Sequence, residues 1–161
     1  MARYVKQDSG PLLDAGCGSG LSGPYLSALG YSHIEGLDFS AEMLQLAGTR
    51  DAYSELKRAT LGEELPWDDN HFAAFFCTGV FTEGHAPSSS LSELCRITRP
   101  GGIAIFTVRD TIFHSGGFDA MLAELAGRGV WRRLEQSPSF RAFALDEPDV
   151  LVTAHVFEVL A

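Results

Sequence analysis

The stretch "LLDAGCGSGLSG", residues 12–23, ends an apolar run with an acid, Asp14, and then gives up side chains at Gly16, Gly18, Gly20 and Gly23. Glycine inside an ordered element costs backbone entropy. Such a cluster marks a place where something must come close to the main chain. Missing Cβ atoms admit a ligand, and the N–H groups that open the next helix face it. A second acid, Asp38, ends "HIEGLD" and is followed by Phe39 and Met43. Further along, "FTEGHAP" carries Glu83 and His85, and "VRDTIFH" carries Arg109, Asp110 and His114. A histidine titrates near neutrality and can accept a proton from a substrate. An arginine can grip an anionic group through two parallel N–H bonds. Each has a plainer alternative: His85 as a surface loop residue, Arg109 in a salt bridge with Asp110 or Glu83, and Cys77 as core rather than nucleophile.

Two ligand classes compete for the glycine loop. Gly18-Ser19-Gly20-Leu21-Ser22-Gly23 satisfies the G-x-G-x-x-G pattern of dinucleotide enzymes, and Asp38 follows Gly18 by about 20 residues, where a ribose-binding acid belongs. An NAD-dependent oxidoreductase therefore stays open as an alternative. The other pattern is Asp14 followed by Gly16, Gly18 and Gly20. A carboxylate beside a pyrophosphate would be repelled, because like charges disfavour each other's ionised form. The acid suits a cationic ligand instead.

The elements that must position these residues alternate in type. "PLLDA" (11–15), "HIEGLD" (33–38), "LKRAT" (56–60), "HFAAFFCTGV" (71–80) and "GIAIFTVRD" (102–110) read as short, mostly apolar strands. Between them lie helices at about 21–29, with Ser22 as a possible cap; at 40–48, with Ser40 as N-cap; and at 89–102, capped by serines and stopped by Pro-Gly-Gly. Phe118, Met121, Leu122 and Leu125 define an amphipathic helix over 117–129. Two strand-like pieces, 130–137 and 150–160, follow without a helix between them. The expected fold is α/β: a Rossmann-like, seven-stranded, mostly parallel sheet with a C-terminal antiparallel hairpin at one edge and helices on both faces. In such a sheet ligands sit beyond the carboxyl ends of the strands, where the glycine loop lies.

Composition narrows the function classes. A chain of 161 residues, 45% apolar and 20% charged, suits one domain over residues 1–161. It has no apolar run long enough to span a membrane, and "MARYVKQDSG" lacks the apolar stretch of a signal peptide. Cys17, Cys77 and Cys95 lack metal-type spacing and read as reduced thiols of a cytoplasmic protein, with no metal site expected. A formal charge of −9 argues against a broad nucleic-acid surface; the cluster Arg128, Arg132 and Arg133 is the only local basic candidate.

From Pro11 to Leu160 the chain resembles the class I S-adenosylmethionine-dependent methyltransferases. Their first motif reads much like "LLDAGCGSG", and "LCRITRPGGIAIFTVRD" matches their helix, Pro-Gly-Gly and fifth strand. The resemblance implies S-adenosyl-L-methionine as cofactor, with Asp14, Gly16, Gly18 and Gly20 at its methionine part. It implies Asp38 on the ribose hydroxyls, Phe39 and Met43 beside the adenine, and Thr78 and Gly79 facing the methionine moiety. Two family features are missing. No acid follows the third strand, so backbone groups of Leu61 and Gly62 would serve the adenine edge, and Ala73 replaces the aspartate usual after the first aromatic of the fourth strand. "CTGVFTEGHAP", "TVRDTIF" and "GVWRRLEQSP" look most like the Williams–Beuren syndrome region subgroup.

On the acceptor side, the chain has no Asn/Asp-Pro-Pro-Tyr/Phe run and no Pro-Cys pair, which demotes amino- and C5-methylation of DNA bases. Phe81, Phe113, Phe118, Trp131 and Phe140 could line an apolar pocket, and a small organic molecule is the expected acceptor. His85, Glu83 and Arg109 are the candidate catalytic residues. Relatives of this kind carry N-terminal lid helices, whereas ten residues precede Pro11 here. The expectation is a site covered by a second copy or a partner, with catalysis weak or partner-dependent, or a non-catalytic cofactor-binding module.

Overall fold

A computed structural model describes every residue except 143–148. Its strands are β1 (Leu12–Ala15), β2 (Ile34–Asp38), β3 (Glu55–Arg58), β4 (Phe72–Phe81), β5 (Thr98–Arg109), β6 (Trp131–Gln136), β7 (Phe140–Arg141) and β8 (Leu151–Val159). The helices are α1 (Ser22–Ala28), α2 (Ala41–Gly48), α3 (Ser90–Arg96) and α4 (Phe118–Gly127), with a single 3-10 turn at Asp110–Ile112. The sheet order is β3-β2-β1-β4-β5-β8-β6, with β7 beside β8. Strands β1 to β5 are parallel, while β8 runs antiparallel between β5 and β6. This is the mixed α/β, Rossmann-like architecture that the alternation of strands and helices led us to expect. The sheet has eight strands rather than seven because the two-residue β7 adds to β8 at Phe140↔Val152.

Strand order reverses between β1 and β4. Leu12 pairs with Ile34 of β2 on one side and Ala74 of β4 on the other. The chain therefore leaves these neighbouring strands in opposite directions and opens a crevice above their carboxyl ends. Side chains alternate across the sheet with period two. Leu13, Phe75, Phe106 and Phe157 join a core with Leu91, Leu94, Phe118, Leu122 and Leu125 of α3 and α4. Leu12, Ala74, Phe76 and Ile34 form a second core on the other face with Leu26 of α1. The N-terminal residues lie on this second face. Val5 is buried, its carbonyl accepts from the Tyr31 hydroxyl at 2.7 Å, and Arg3 pairs with Glu135 of β6 at 3.0 Å. Among the described residues no helix is long and apolar enough to cross a membrane.

Two local expectations are corrected. Ser22 is the first residue of α1 and caps nothing; Leu21 occupies the N-cap position without a side-chain bond. Ser89 stands at the N-cap of α3 without a side-chain cap bond, and Pro-Gly-Gly does not stop the helix, which ends at Arg96. The Thr98 hydroxyl donates to the Leu94 carbonyl at 2.7 Å, closing the last turn. Pro100, Gly101 and Gly102 then lie inside β5, where the register against β4 shifts between Phe72↔Thr98 and Ala74↔Ile103. A Cβ at Gly102 would stand 2.7 Å from the Arg99 carbonyl oxygen, so the bulge can form only around glycine. Ser40 does cap α2, its hydroxyl accepting the Met43 N–H at 3.2 Å.

Candidate functional site

Above the carboxyl ends of β1, β2 and β4 lies a cleft of about 520 Å³, a size typical of small-molecule sites. Its floor is the glycine loop. At Gly16, φ is +78° and a Cβ would fall 2.4 Å from Val80, so only glycine lets the loop pass under the end of β4. At Gly18, φ is +53° and nothing lies within 4 Å of where a Cβ would be, so the backbone is open to the cleft. Gly20 and Gly23 face the other way. Cβ atoms there would come within 2.8 Å of the Ala47 backbone and 2.7 Å of the Tyr53 ring, and neither residue lines the cleft. The two later glycines of the dinucleotide pattern are thus taken up by packing against α2 and Tyr53.

Asp38 stands at the cleft wall, 8% exposed. Its two oxygens accept one backbone N–H each, Oδ1 from Ser40 at 3.0 Å and Oδ2 from Gly18 at 2.9 Å. A carboxylate oxygen has two lone-pair directions, so this hold orients the group and leaves capacity for hydroxyls of a ligand. Phe39 and Met43 line the cleft with their side chains 64% and 38% exposed, as do Ala59, Thr60 and Leu61 after β3. Gly62 turns away, its would-be Cβ 2.8 Å from the Pro87 ring.

Asp14 is buried under the loop and does not line the cleft. Its Oδ2 accepts from the Tyr53 hydroxyl at 2.7 Å. Burial pushes the Asp14 carboxyl up to about 7, against the opposing Tyr53 bond and with the help of the nearby Asp38 charge. All three cysteines are free and buried, and burial holds Cys17 and Cys95 at about 12, which makes them unreactive thiols.

On the opposite wall His85 reaches the cleft together with Gly79, Val80, Gly84 and Ala86. Its Nδ1 lies 2.8 Å from the Thr82 hydroxyl and 3.0 Å from the Glu83 carbonyl. A carbonyl only accepts, so these contacts suit a proton on Nδ1 and a lone pair on Nε2. Glu83 and Arg109 stand outside the cleft. Arg109 Nη1 donates to Glu83 Oε2 at 3.1 Å, and the Thr111 hydroxyl donates to Oε1. The Thr111 bond leads the effects that hold the Glu83 carboxyl below its ordinary range. Thr78, Thr107, Arg109 and Phe140 line a neighbouring hollow of about 440 Å³ that shares Gly79 with the cleft. Of the remaining aromatics, Phe118 and Trp131 are core residues rather than pocket walls, while Phe81, itself buried, also borders that hollow. Among the described residues no three His, Cys, Asp or Glu are grouped to hold a metal ion.

The structure therefore gathers Gly16, Gly18, Asp38, Phe39, Met43, Leu61, Gly79 and His85 around one cleft, and sets Asp14, Gly20, Gly62, Thr78, Glu83 and Arg109 outside it. It adds Ser40, Thr60, Val80 and Gly84. Gly84, with φ of +73°, carried a legible signal inside "FTEGHAP"; Val80 carried none, since it reads as one more apolar strand residue.

A glycine loop at a switch point, with an acid ending the second strand, marks the Rossmann-like nucleotide-binding class. The chain matches the family described as Methyltransferase domain over residues 13–106, and it belongs to that family. The cofactor of this family is S-adenosyl-L-methionine. It is 33% identical over 131 residues to human methyltransferase-like protein 27, covering 79% of this chain and 53% of that protein. It is 33% identical over 108 residues to a malonyl-[acyl-carrier protein] O-methyltransferase of Buchnera aphidicola, covering 67% and 42%. A mouse 18S rRNA (guanine-N(7))-methyltransferase is 43% identical over 61 residues, 38% of this chain and 21% of that protein. The chain thus spans about half, or less, of these relatives' lengths. Among solved structures, a Methanosarcina mazei S-adenosylmethionine-dependent methyltransferase superposes with a TM-score of 0.79 at 17% identity, covering 99% of this chain and 96% of that one. A Haloferax volcanii methyltransferase solved in complex with the Trm112 activator gives 0.75 at 21% identity, covering 99% and 86%.

Proposed function

We propose that the chain binds S-adenosyl-L-methionine in the 520 Å³ cleft and transfers its methyl group to a small organic acceptor entering beside Gly79. The carrying observation is Asp38, fixed by the N–H groups of Gly18 and Ser40 at the wall of a cleft whose floor is open at Gly18. When bound, the cofactor supplies a methyl group on a sulfonium, for which correct positioning provides most of the acceleration.

The residues divide that positioning. Asp38 accepts the two ribose hydroxyls, and Phe39, Met43 and Leu61 flank the adenine. Backbone groups at Leu61 meet the adenine edge, Gly62 being turned towards Pro87. Gly16 and Gly18 let the cofactor lie against the main chain, and Asp14 acts on its cationic end from beneath the loop by charge. His85, with its Nε2 lone pair, takes the acceptor's proton. Glu83 and Arg109 brace that wall as an ion pair, and Thr78 and Gly79 border the acceptor's entry. The formal charge of −9 and the pairing of Arg128 with Glu124 and Arg132 with Glu158 favour a small molecule over a nucleic acid. The free buried thiols suit a cytoplasmic setting, and "CTGVFTEGHAP" supports membership of the Williams–Beuren region subgroup.

A partner-dependent or non-catalytic binding module is a second reading with its own support. Leu21, Tyr25 and Leu29, at the two caps and in the middle of α1, are 62%, 76% and 47% exposed, and Phe39 before α2 and Leu46 within it are 64% and 48% exposed. Apolar surface of this kind asks for a cover. Calorimetry with S-adenosylhomocysteine and with NAD tests the binding. The homocysteine ligand is expected to bind and NAD not to. Asp38→Ala is expected to weaken binding by about 1.5–3 kcal/mol, the worth of hydrogen bonds to a charged group. Binding of neither ligand defeats the cofactor reading. Turnover of a small-molecule panel by the chain alone defeats the partner-dependent one.

A further inference from the structure

Tyr53, between α2 and β3, sits in a seat made of three glycines. Cβ atoms at Gly20, Gly23 and Gly36 would stand 3.0, 2.7 and 3.1 Å from its ring carbons. Gly20 belongs to the loop, Gly23 to the first turn of α1 and Gly36 to the middle of β2, so a single ring is wedged between the loop, the helix it opens and the second strand. The hydroxyl at the end of that ring donates to Asp14 Oδ2 at 2.7 Å. Asp14 is 3% exposed, and the other titratable groups acting on it are the Asp38 carboxylate of β2 and the thiols of Cys17 and Cys77. None of them is a cation. Among the described residues Tyr53 is thus the one group that favours the Asp14 carboxylate.

We propose that Tyr53 is a positioning residue for cofactor binding: seated on Gly20, Gly23 and Gly36, it braces the loop and orients the Asp14 carboxylate toward the cationic end of the cofactor. The proposal rests on the S-adenosyl-L-methionine reading of the cleft. A buried charge acts strongly over a few ångströms because the surrounding dielectric is low, so Asp14 needs no direct contact. Burial raises its carboxyl to about 7 and the Tyr53 bond opposes that rise. Tyr53 stays a donor throughout, since burial and the adjacent Asp14 charge push its own phenol upward. Affinity for a ligand with an ammonium group therefore increases as pH rises through about 7. Loss of the hydroxyl moves that increase to higher pH.

The test compares two probes, S-adenosylhomocysteine, which carries the ammonium, and methylthioadenosine, which lacks it. Tyr53→Phe keeps the ring in its seat. It is expected to weaken S-adenosylhomocysteine binding about tenfold at neutral pH, with recovery at higher pH, and to leave methylthioadenosine binding unchanged. Asp14→Asn provides a second arm, expected to remove the pH dependence around neutrality. Binding of S-adenosylhomocysteine to Tyr53→Phe with the wild-type pH profile overturns the proposal. So does an equal loss of both probes at every pH, which marks a purely structural role, or an unchanged pH profile in Asp14→Asn. If the wild-type chain binds neither probe, the cofactor reading itself has failed, and the two failures are thereby told apart.

Discussion

His155 is fully buried on β8 with neither ring nitrogen hydrogen-bonded among the described residues. It lies among aromatic rings, parallel to Phe113 with centroids 5.6 Å apart and near Phe106 at 5.4 Å. Burial first, then the Arg133 charge, lowers its pKa to about 4, so it is neutral at pH 7. Two unpaired polar atoms in such a place oppose stability, because buried donors and acceptors lose their bonds to water. His155→Phe keeps the ring contacts and removes both atoms. It is expected to fold with stability equal to or greater than wild type at neutral pH, by about 1 kcal/mol in denaturant titration. A loss of several kcal/mol would mean that the imidazole has a partner. At the cleft, the comparable residue-level fact is that Asp38 has its N–H donors at both oxygens, whereas His85 has its Nδ1 engaged and its exposed ring at the wall. The first is held in one orientation from both oxygens and the second keeps its Nε2 free of these contacts.

At the level of elements, the site depends on where α2 begins. The Ser40 hydroxyl caps the helix through Met43, while the Ser40 backbone N–H holds Asp38. The same residue therefore ends the β2 acid and starts the helix that carries Met43 into the cleft. Loss of an N-cap hydroxyl costs about 1 kcal/mol. Ser40→Ala is expected to lower the Tm by about 2–4 °C in thermal unfolding, as that energy implies for a chain of this size. It should weaken S-adenosylhomocysteine binding less than Asp38→Ala does, since the backbone donor remains. A larger effect on binding than that of Asp38→Ala would place the ribose contact elsewhere. The hairpin of β6 and β8 is the element that local pattern foretold in kind but not in detail. The two strands do pair, and β8 lies between β5 and β6, with β7 added at the connection.

For the whole molecule, two buried groups act on stability with opposite signs over one pH window. The folded pKa of His155 lies below its ordinary 6.5, so the unfolded chain binds a proton that the folded chain refuses. Its contribution is complete above 6.5 and is lost as pH falls toward about 4. The folded pKa of Asp14 lies above its ordinary 3.8, so the folded chain keeps a proton that the unfolded chain releases. That contribution is complete below 3.8 and is lost as pH rises toward about 7. Relative to His155→Phe, the wild type is expected to lose stability on acidification. Relative to Asp14→Asn, it is expected to lose stability as pH rises. Denaturant midpoints measured across this window check both signs, and a parallel course of wild type and variant removes the assigned group from the balance.

Much of this protein is local and so can be read along the chain. The alternation of apolar strands with helices, the core face of α4 at Phe118, Leu122 and Leu125, and the Ser40 cap follow from periodicity and side-chain chemistry within a few residues. So does the glycine loop with Asp38 beyond it, because a tight turn and a strand-ending acid each have a short-range signature. The rest depends on contacts between distant residues. Tyr53 and Asp14 are 39 positions apart, and Arg109 and Glu83 are 26 apart. Such contacts turn Gly20 and Gly23 into the seat of a ring, set Asp14 beneath the cleft rather than in it, and move Thr78 into the neighbouring hollow. The sequence by itself determined that the first strand ends in a glycine loop and the second in an acid. Which glycines border the cleft and which pack against the protein was decided only by the tertiary structure, since a missing Cβ is the same in both cases until the atoms that fill its place are known.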